Sequence, residues 1–182
     1  MEKNNKIEAK NVVGLIDNKK ETTIIIGAHY DHIGYGGQYS LDRGINEIHN
    51  GADDNASGTA MLLNLVKKLS KRNNSNSNYL FIGFSAEELG LLGSRYFVNS
   101  NLYDEGTYNM MINLDMVGRL NEKKELSVFG AGTSSIFRQV LNSLNGSFNL
   151  NIINDGTGPS DHTSFYNKDI FYLNLNSSSE QM

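Results

Sequence analysis

Apolar runs alternate with amphipathic segments along most of this chain, and this alternation restricts its fold more than any other feature. Three largely apolar or β-branched runs, at 22–28, 79–84 and 109–116, predict buried strands. Between the first two, residues 57–71 carry apolar side chains at helical spacing and predict a helix. The order predicts an α/β fold of three layers, a largely parallel mixed sheet with helices on both faces.

Shorter elements continue the same alternation. Strands are predicted at 12–16 (an edge strand), 125–129, 149–153 and 169–175, and helices at 89–99 and 134–144. In the first of these two helices, Tyr96 and Phe97 are expected to face the core. A length of 182 residues suits a single domain, 1–182, with its folded core at about 10–175.

Composition and charge exclude several classes of partner. The formal net charge is -4 and the sequence pI is about 5.5, which gives no basic surface for nucleic acid. No run approaches the roughly 18 apolar residues of a membrane span, and the polar segment 1–6 is followed by no apolar export signal. The chain has no cysteine, so any metal ligands must be histidines and carboxylates.

Residues 51–58 (GADDNASG) place two adjacent carboxylates in a glycine-bounded turn just before the predicted helix. A carboxylate here could simply cap the helix. Two acids and an asparagine in series exceed what a cap requires. We therefore expect Asp54 to face inward as a metal ligand, while Asp53 or Asn55 binds the backbone.

Imidazole and carboxylate groups also follow the three buried strands. His29 ends the first strand, Glu87 and Glu88 follow the second, and Asp115 ends the third. The carboxyl ends of parallel strands meet at one edge of a sheet, where α/β proteins bind ligands. The site predicted there is that of a metal-assisted hydrolase.

Each of these groups also has a structural explanation. His29 could be a hydrogen-bonded core histidine, although Asp31 is placed to orient its imidazole towards a metal. Glu87 and Glu88 could be the charged first turn of a helix. Asp115, at the end of an apolar run, would be a costly unpaired charge unless a cation lies beside it.

The remaining histidines are less informative. His162, in the segment Ser160-Asp161-His162, could be a metal ligand, a substrate contact or a neighbour of a helix cap. His32 and His49 lie in predicted loops and are expected at the surface, although His49, close to Asp53, could shape the pocket. A Ser-His-Asp triad is disfavoured because no Gly-x-Ser-x-Gly motif occurs.

Together the motifs resemble peptidase family M28, the zinc aminopeptidases. They occur in the family's order at 28–32 (AHYDH), 51–58 (GADDNASG), 85–90 (SAEELG), 113–116 (NLDM) and 160–165 (SDHTSF). The resemblance implies two zinc ions: His29 and Asp115 on one, Glu88 on the other, and Asp54 bridging them. It further implies that Glu87 is the general base, that Asp31 supports His29, that the Asp54–Asn55 peptide is cis, and that His162 is not a zinc ligand.

The resemblance also implies a function and a departure from the family pattern. The expected reaction is hydrolysis of N-terminal residues from peptides. In relatives a Tyr-His pair after the last strand completes the second zinc site and stabilises the oxyanion, and we expect this sequence, which ends at Met182, to lack it. Two alternatives are a remnant that binds peptide or one metal without turnover, and a glutaminyl cyclase, which shares the fold but uses a single zinc.

Overall fold

A computed structural model describes residues 8–37, 40, 47–72, 75–100, 102, 107–144, 146–155 and 157–178. Within these ranges the chain forms seven strands and four helices. The strands are β1 (Val12–Ile16), β2 (Thr23–His29), β3 (Asn78–Phe84), β4 (Tyr108–Leu114), β5 (Glu125–Phe129), β6 (Asn149–Ile152) and β7 (Phe171–Asn176). The helices are α1 (Gly58–Leu69), α2 (Leu92–Val98), α3 (Phe137–Leu144) and α4 (His162–Tyr166).

The described strands make one mixed sheet in the order β1-β3-β2-β4-β7-β5-β6. Strand β2 lies between β3 and β4 and is parallel to both, and β4 is parallel to β7. Strand β1 lies at one edge of the sheet, as predicted, and is antiparallel to β3; β5 is antiparallel to β7. The predicted fold is therefore confirmed. The carboxyl ends of the three central parallel strands come to a common edge.

Helices cover both faces of the sheet. On one face, Leu62 of α1 packs against Ile26 and Phe81. On the other face, Phe97 of α2 and Phe165 of α4 form a core with strand side chains, and the Phe165 ring centroid lies 5.8 Å from that of Phe84. This is the predicted three-layer arrangement.

One prediction about the helices is wrong, and one short helix was not predicted. Tyr96 is 73% exposed, whereas Phe97 is 2% exposed. Successive residues of an α-helix are about 100° apart, so a short helix that buries Phe97 can turn Tyr96 to solvent. Helix α4 was not predicted, because its five residues follow a segment rich in turn-forming residues.

No described helix has the length and apolar character needed to span a bilayer.

The segment before α1 is a wide turn at Ala52–Ser57, and it packs closely on the end of β4. Asn55 is buried there: its amide donates to the Leu114 carbonyl oxygen at 2.9 Å, and its side-chain oxygen accepts from the Gly58 N–H at 3.1 Å. A side chain at Gly58 would collide with both of those oxygens. The turn therefore needs a residue without a Cβ at the first position of α1.

We expect Gly58→Ala to destabilise the protein, although Gly→Ala inside a helix normally stabilises it. The added methyl group would push apart α1 and β4, and overpacking of this kind costs about 1–3 kcal/mol of unfolding free energy. Urea denaturation followed by circular dichroism measures the change. Gly14→Ala is the matched control, since a methyl group there meets nothing within 4 Å. Equal stability of the two variants would contradict the assigned close packing.

Candidate metal centre

The parallel register of the central strands brings the predicted site residues together. His29, the last residue of β2, is paired with Phe84, the last residue of β3. Glu87 follows β3 by three residues, and Asp115 comes directly after β4. Asp54 reaches the same edge from the turn before α1. Four segments far apart in sequence therefore meet at one edge of the sheet, at the position where open α/β sheets bind ligands.

The first group is centred on the buried imidazole of His29. Its Nε2 lies 3.2 Å from Asp54 Oδ1 and 3.4 Å from Asp115 Oδ1. Its Nδ1 lies 3.2 Å from the backbone oxygen of Asp31. If Nδ1 carries the proton and donates it to that oxygen, Nε2 is left with its lone pair facing two carboxylates, as in a metal-binding histidine.

The spacing of these atoms suits a tetrahedral zinc ion. Nitrogen and oxygen ligands at about 2.0–2.1 Å from zinc are about 3.3 Å from each other in a tetrahedral site. The separations of His29 Nε2 from the Asp54 and Asp115 oxygens, 3.2 and 3.4 Å, match that value. Glu87 also belongs to this group, since one of its oxygens lies within 4.8 Å of the ligand atoms of His29 and Asp115. The residues present therefore fit the metal that the motifs predict.

The pKa values of His29, Asp115 and Glu87 are shifted by burial and by the interactions of these side chains with one another. Burial lowers the pKa of His29, but hydrogen bonds to Asp115 and Asp54 outweigh it and raise the pKa to about 12. Burial opposes the charge on Asp115, yet its hydrogen bond to His29 keeps the pKa of Asp115 below its usual value. Burial, reinforced by neighbouring acids, raises the pKa of Glu87 to about 8 although His29 opposes the shift. The group is therefore crowded with carboxylates that need positive charge nearby.

A second group lies beside the first. Within the described ranges, His32, Asp54 and Glu88 also bring ligand atoms within 4.8 Å of one another, and His32 Nδ1 is 2.8 Å from Glu88 Oε1. The prediction that His32 is a surface residue is wrong, because only 23% of its side chain is exposed. Asp54 contacts His29 and also belongs to the second group. Its carboxylate is thus common to both, as expected of a bridging ligand.

Asp31 fixes the backbone that carries both glutamates. Its Oδ1 accepts from the Glu87 N–H at 3.0 Å, and its Oδ2 accepts from the Glu88 N–H at 3.2 Å. The same carboxylate is 3.8 Å from His29 Nδ1, beyond hydrogen-bond range, so the Asp31 group nearest to that ring nitrogen is the backbone oxygen. Asp31 therefore supports His29 with its main chain and the glutamates with its side chain.

The neighbours of Asp54 bind the backbone, as predicted. Asp53 Oδ1 accepts from the Gly118 N–H at 2.7 Å. Asn55 accepts from the N–H groups of Gly58 and Met116. The Asp54–Asn55 peptide is cis, which confirms that expectation too. With both neighbours anchored, the Asp54 carboxylate is left to face the site.

His162 and His49 lie outside both groups. His162 is buried, with its ring centroid 4.5 Å from that of Tyr172, and burial lowers its pKa to about 4. It lines a separate cleft of about 850 Å³ that contains none of the six residues of the two groups. His49 Nε2 lies 3.4 Å from Ser40 Oγ, and its ring centroid is 6.4 Å from that of His32. The cleft beside the second group, about 640 Å³, is lined by His32, His49, Asp54 and Arg119 among others.

Known proteins share this fold. The chain is 35% identical to aminopeptidase YwaD of Bacillus subtilis (strain 168) over 119 residues, which are 63% of this chain and 23% of that protein. It superposes on BSAP, a zinc aminopeptidase from Bacillus subtilis, with a TM-score of 0.71 at 28% identity, covering 94% of this chain and 41% of the other. The chain therefore spans less than half the length of either relative.

A third likeness concerns the fold alone. The glutaminyl cyclase of Porphyromonas gingivalis superposes with a TM-score of 0.70 at 18% identity, covering 94% of this chain and 64% of that one. The family assignment comes instead from the sequence profile of peptidase family M28, which matches residues 11–181. That range contains every described strand and both ligand groups, and the chain accordingly belongs to peptidase family M28.

Proposed function

We propose that this chain is a zinc-dependent aminopeptidase domain, formed by residues 1–182, that hydrolyses N-terminal residues from peptides. The observation that carries the proposal is the pair of adjacent ligand groups with Asp54 common to both. Support also comes from the family and from the names of its relatives, aminopeptidase YwaD and the zinc aminopeptidase BSAP.

In this proposal His29, Asp54 and Asp115 would hold one zinc ion, and Asp54 and Glu88 would supply two ligands to a second. Zinc supplies Lewis acidity, which polarises a carbonyl oxygen and makes a water molecule more acidic. The protein's part is to fix the ligands: Asp31 holds the backbone of both glutamates, and Asp53 and Asn55 hold the turn that carries Asp54.

Glu87 is the general base of the proposed reaction. Its buried carboxylate lies next to the ligand atoms of His29 and Asp115, so it can reach a water molecule at the same place. It takes a proton from the attacking water as the carbonyl carbon is attacked. It then gives that proton to the leaving amine nitrogen, and the peptide bond breaks. The free α-amine of a substrate would bind near the metals and these acidic groups, which would account for cleavage at N-terminal residues.

The two alternatives make different demands on the site. A glutaminyl cyclase needs a single zinc, whereas two ligand groups sharing a carboxylate favour two ions. A remnant that only binds peptide would bind it equally well without a general base. Metal stoichiometry and the Glu87 variant therefore separate the three functions.

Glu87→Gln is expected to reduce turnover of aminoacyl p-nitroanilides by at least about 100-fold, because general base catalysis contributes roughly 10²–10⁴. Its zinc content, measured by mass spectrometry after loading and dialysis, should equal that of the wild type. Glu125→Gln is the control, since this exposed side chain bonds only Asn121 among the described partners. Loss of zinc from Glu87→Gln would mean that the roles of Glu87 and Glu88 are exchanged.

Asp54→Asn is expected to remove both zinc ions, because a neutral amide cannot bridge two cations as a carboxylate does. Zinc per chain should fall to near zero under loading conditions that saturate the wild type. Asp53→Asn, at the adjacent acid whose side chain contacts the backbone of Gly118, should retain both ions. Two ions in Asp54→Asn would exclude its bridging role.

Asp31→Asn is expected to weaken zinc binding by about 10–100-fold, the usual cost of losing a group that orients the ligands. The carboxylate now accepts hydrogen bonds from the N–H groups of Glu87 and Glu88, and the asparagine NH₂ would face one of these two donors. Competition with a chromophoric chelator measures the affinity. Asp17→Asn is the control: it makes the same change at an exposed turn, where the asparagine oxygen can still accept the Lys19 N–H, and it should leave the affinity unchanged. Equal affinities for both variants would contradict the role given to Asp31.

A further inference from the structure

We infer that His32 is a ligand of the second zinc position, together with Asp54 and Glu88. The inference rests on the proposed function and deepens it, because the ligands that the resemblance implies for this position are Asp54 and Glu88, whereas the structure also brings His32 to them. His32 lies three residues beyond the end of β2, in the same segment as His29. One short segment would thus supply an imidazole to each of the two zinc ions.

Geometry is the first support. His32 Nδ1 lies 2.8 Å from Glu88 Oε1, and a carboxylate oxygen of Asp54 completes a set whose ligand atoms are all within 4.8 Å of each other. Zinc ligands are about 3.3 Å apart in a tetrahedral site, so a small outward movement of the imidazole would admit the ion. Imidazole nitrogen and carboxylate oxygen are also both ligands that zinc accepts.

The packing of the His32 ring is the second support. Gly51 has a φ of 62°, and a Cβ at this position would lie 3.0 Å from His32 Cγ and Cδ2. The ring therefore lies close against the backbone of the turn that carries Asp54. The His49 ring centroid is 6.4 Å from that of His32, in an edge-on arrangement. The position of the imidazole is thus set by its surroundings as well as by Glu88.

A purely supporting role for His32 makes a different prediction. If His32 only donates a hydrogen bond to Glu88, its loss would weaken binding by about 10–100-fold but would leave two ions bound at saturating zinc. If His32 is a ligand, its removal leaves the second zinc position with only two carboxylates, one of which is shared with the first ion. That position would then be empty after dialysis.

The test counts zinc ions per chain by mass spectrometry, after loading with excess zinc and dialysis, in wild type, His32→Phe and His32→Ala. Phenylalanine keeps an aromatic ring against Gly51 and removes the nitrogen donors, and alanine checks that any effect is not due to ring size. Circular dichroism confirms that each variant is folded. His49→Phe is the matched control, because His49 lines the same cleft but belongs to neither ligand group.

The expected counts are two ions for wild type and His49→Phe, and one for both His32 variants. A second readout is cobalt loading, where the visible absorbance at saturation should fall to about half in His32→Phe. Two ions in the His32 variants would overturn the inference and leave the proposed function standing. One ion in the wild type, retained in His32→Phe but lost in Asp115→Asn, would also overturn the inference and favour a single-zinc enzyme. No bound zinc in the wild type would overturn the proposed function and the inference together.

Discussion

Repulsion among carboxylates at one edge of the sheet is the constraint on which the site depends. Asp54, Glu87, Glu88 and Asp115 converge there, with only His29 and His32 among the ligand groups to offset them. At about 4 Å, two like charges near a protein surface repel by about 4 kcal/mol for an effective dielectric constant near 20. Burial, with Asp54 next in effect, raises the pKa of Glu88. Two divalent cations would neutralise the four acids with both imidazoles uncharged.

Much of this arrangement follows from sequence because strand ends are easy to locate. Apolar runs that stop at His29 and just before Glu87 and Asp115 predict both the strands and their common edge, and the structure confirms the alignment. The pairing of Asp54 with anchored neighbours was also predictable, since two acids and an amide in one turn exceed the needs of a helix cap.

Other features depend on side-chain orientations that the periodicity of the sequence does not determine. The exposure of Tyr96 depends on how α2 is rotated about its axis, and two adjacent aromatic residues do not reveal that rotation. His32 lies beyond the strand, where the period of two has ended, so its direction depends on the loop and on contact with Gly51. Helix α4 is five residues long, too short for a periodic pattern to be recognised.

The Asp31 carboxylate, which accepts the N–H groups of both Glu87 and Glu88, has a consequence for how such a site can change. Because one side chain accepts from two consecutive N–H groups, it fixes the backbone of the proposed base and of the proposed ligand together. A loop shift that brought the base closer to a substrate would displace the ligand by a similar amount. In the proposed site, a change at Asp31 would therefore affect proton transfer and metal affinity together, whereas a change in the turn that carries Asp54 would leave this backbone contact intact.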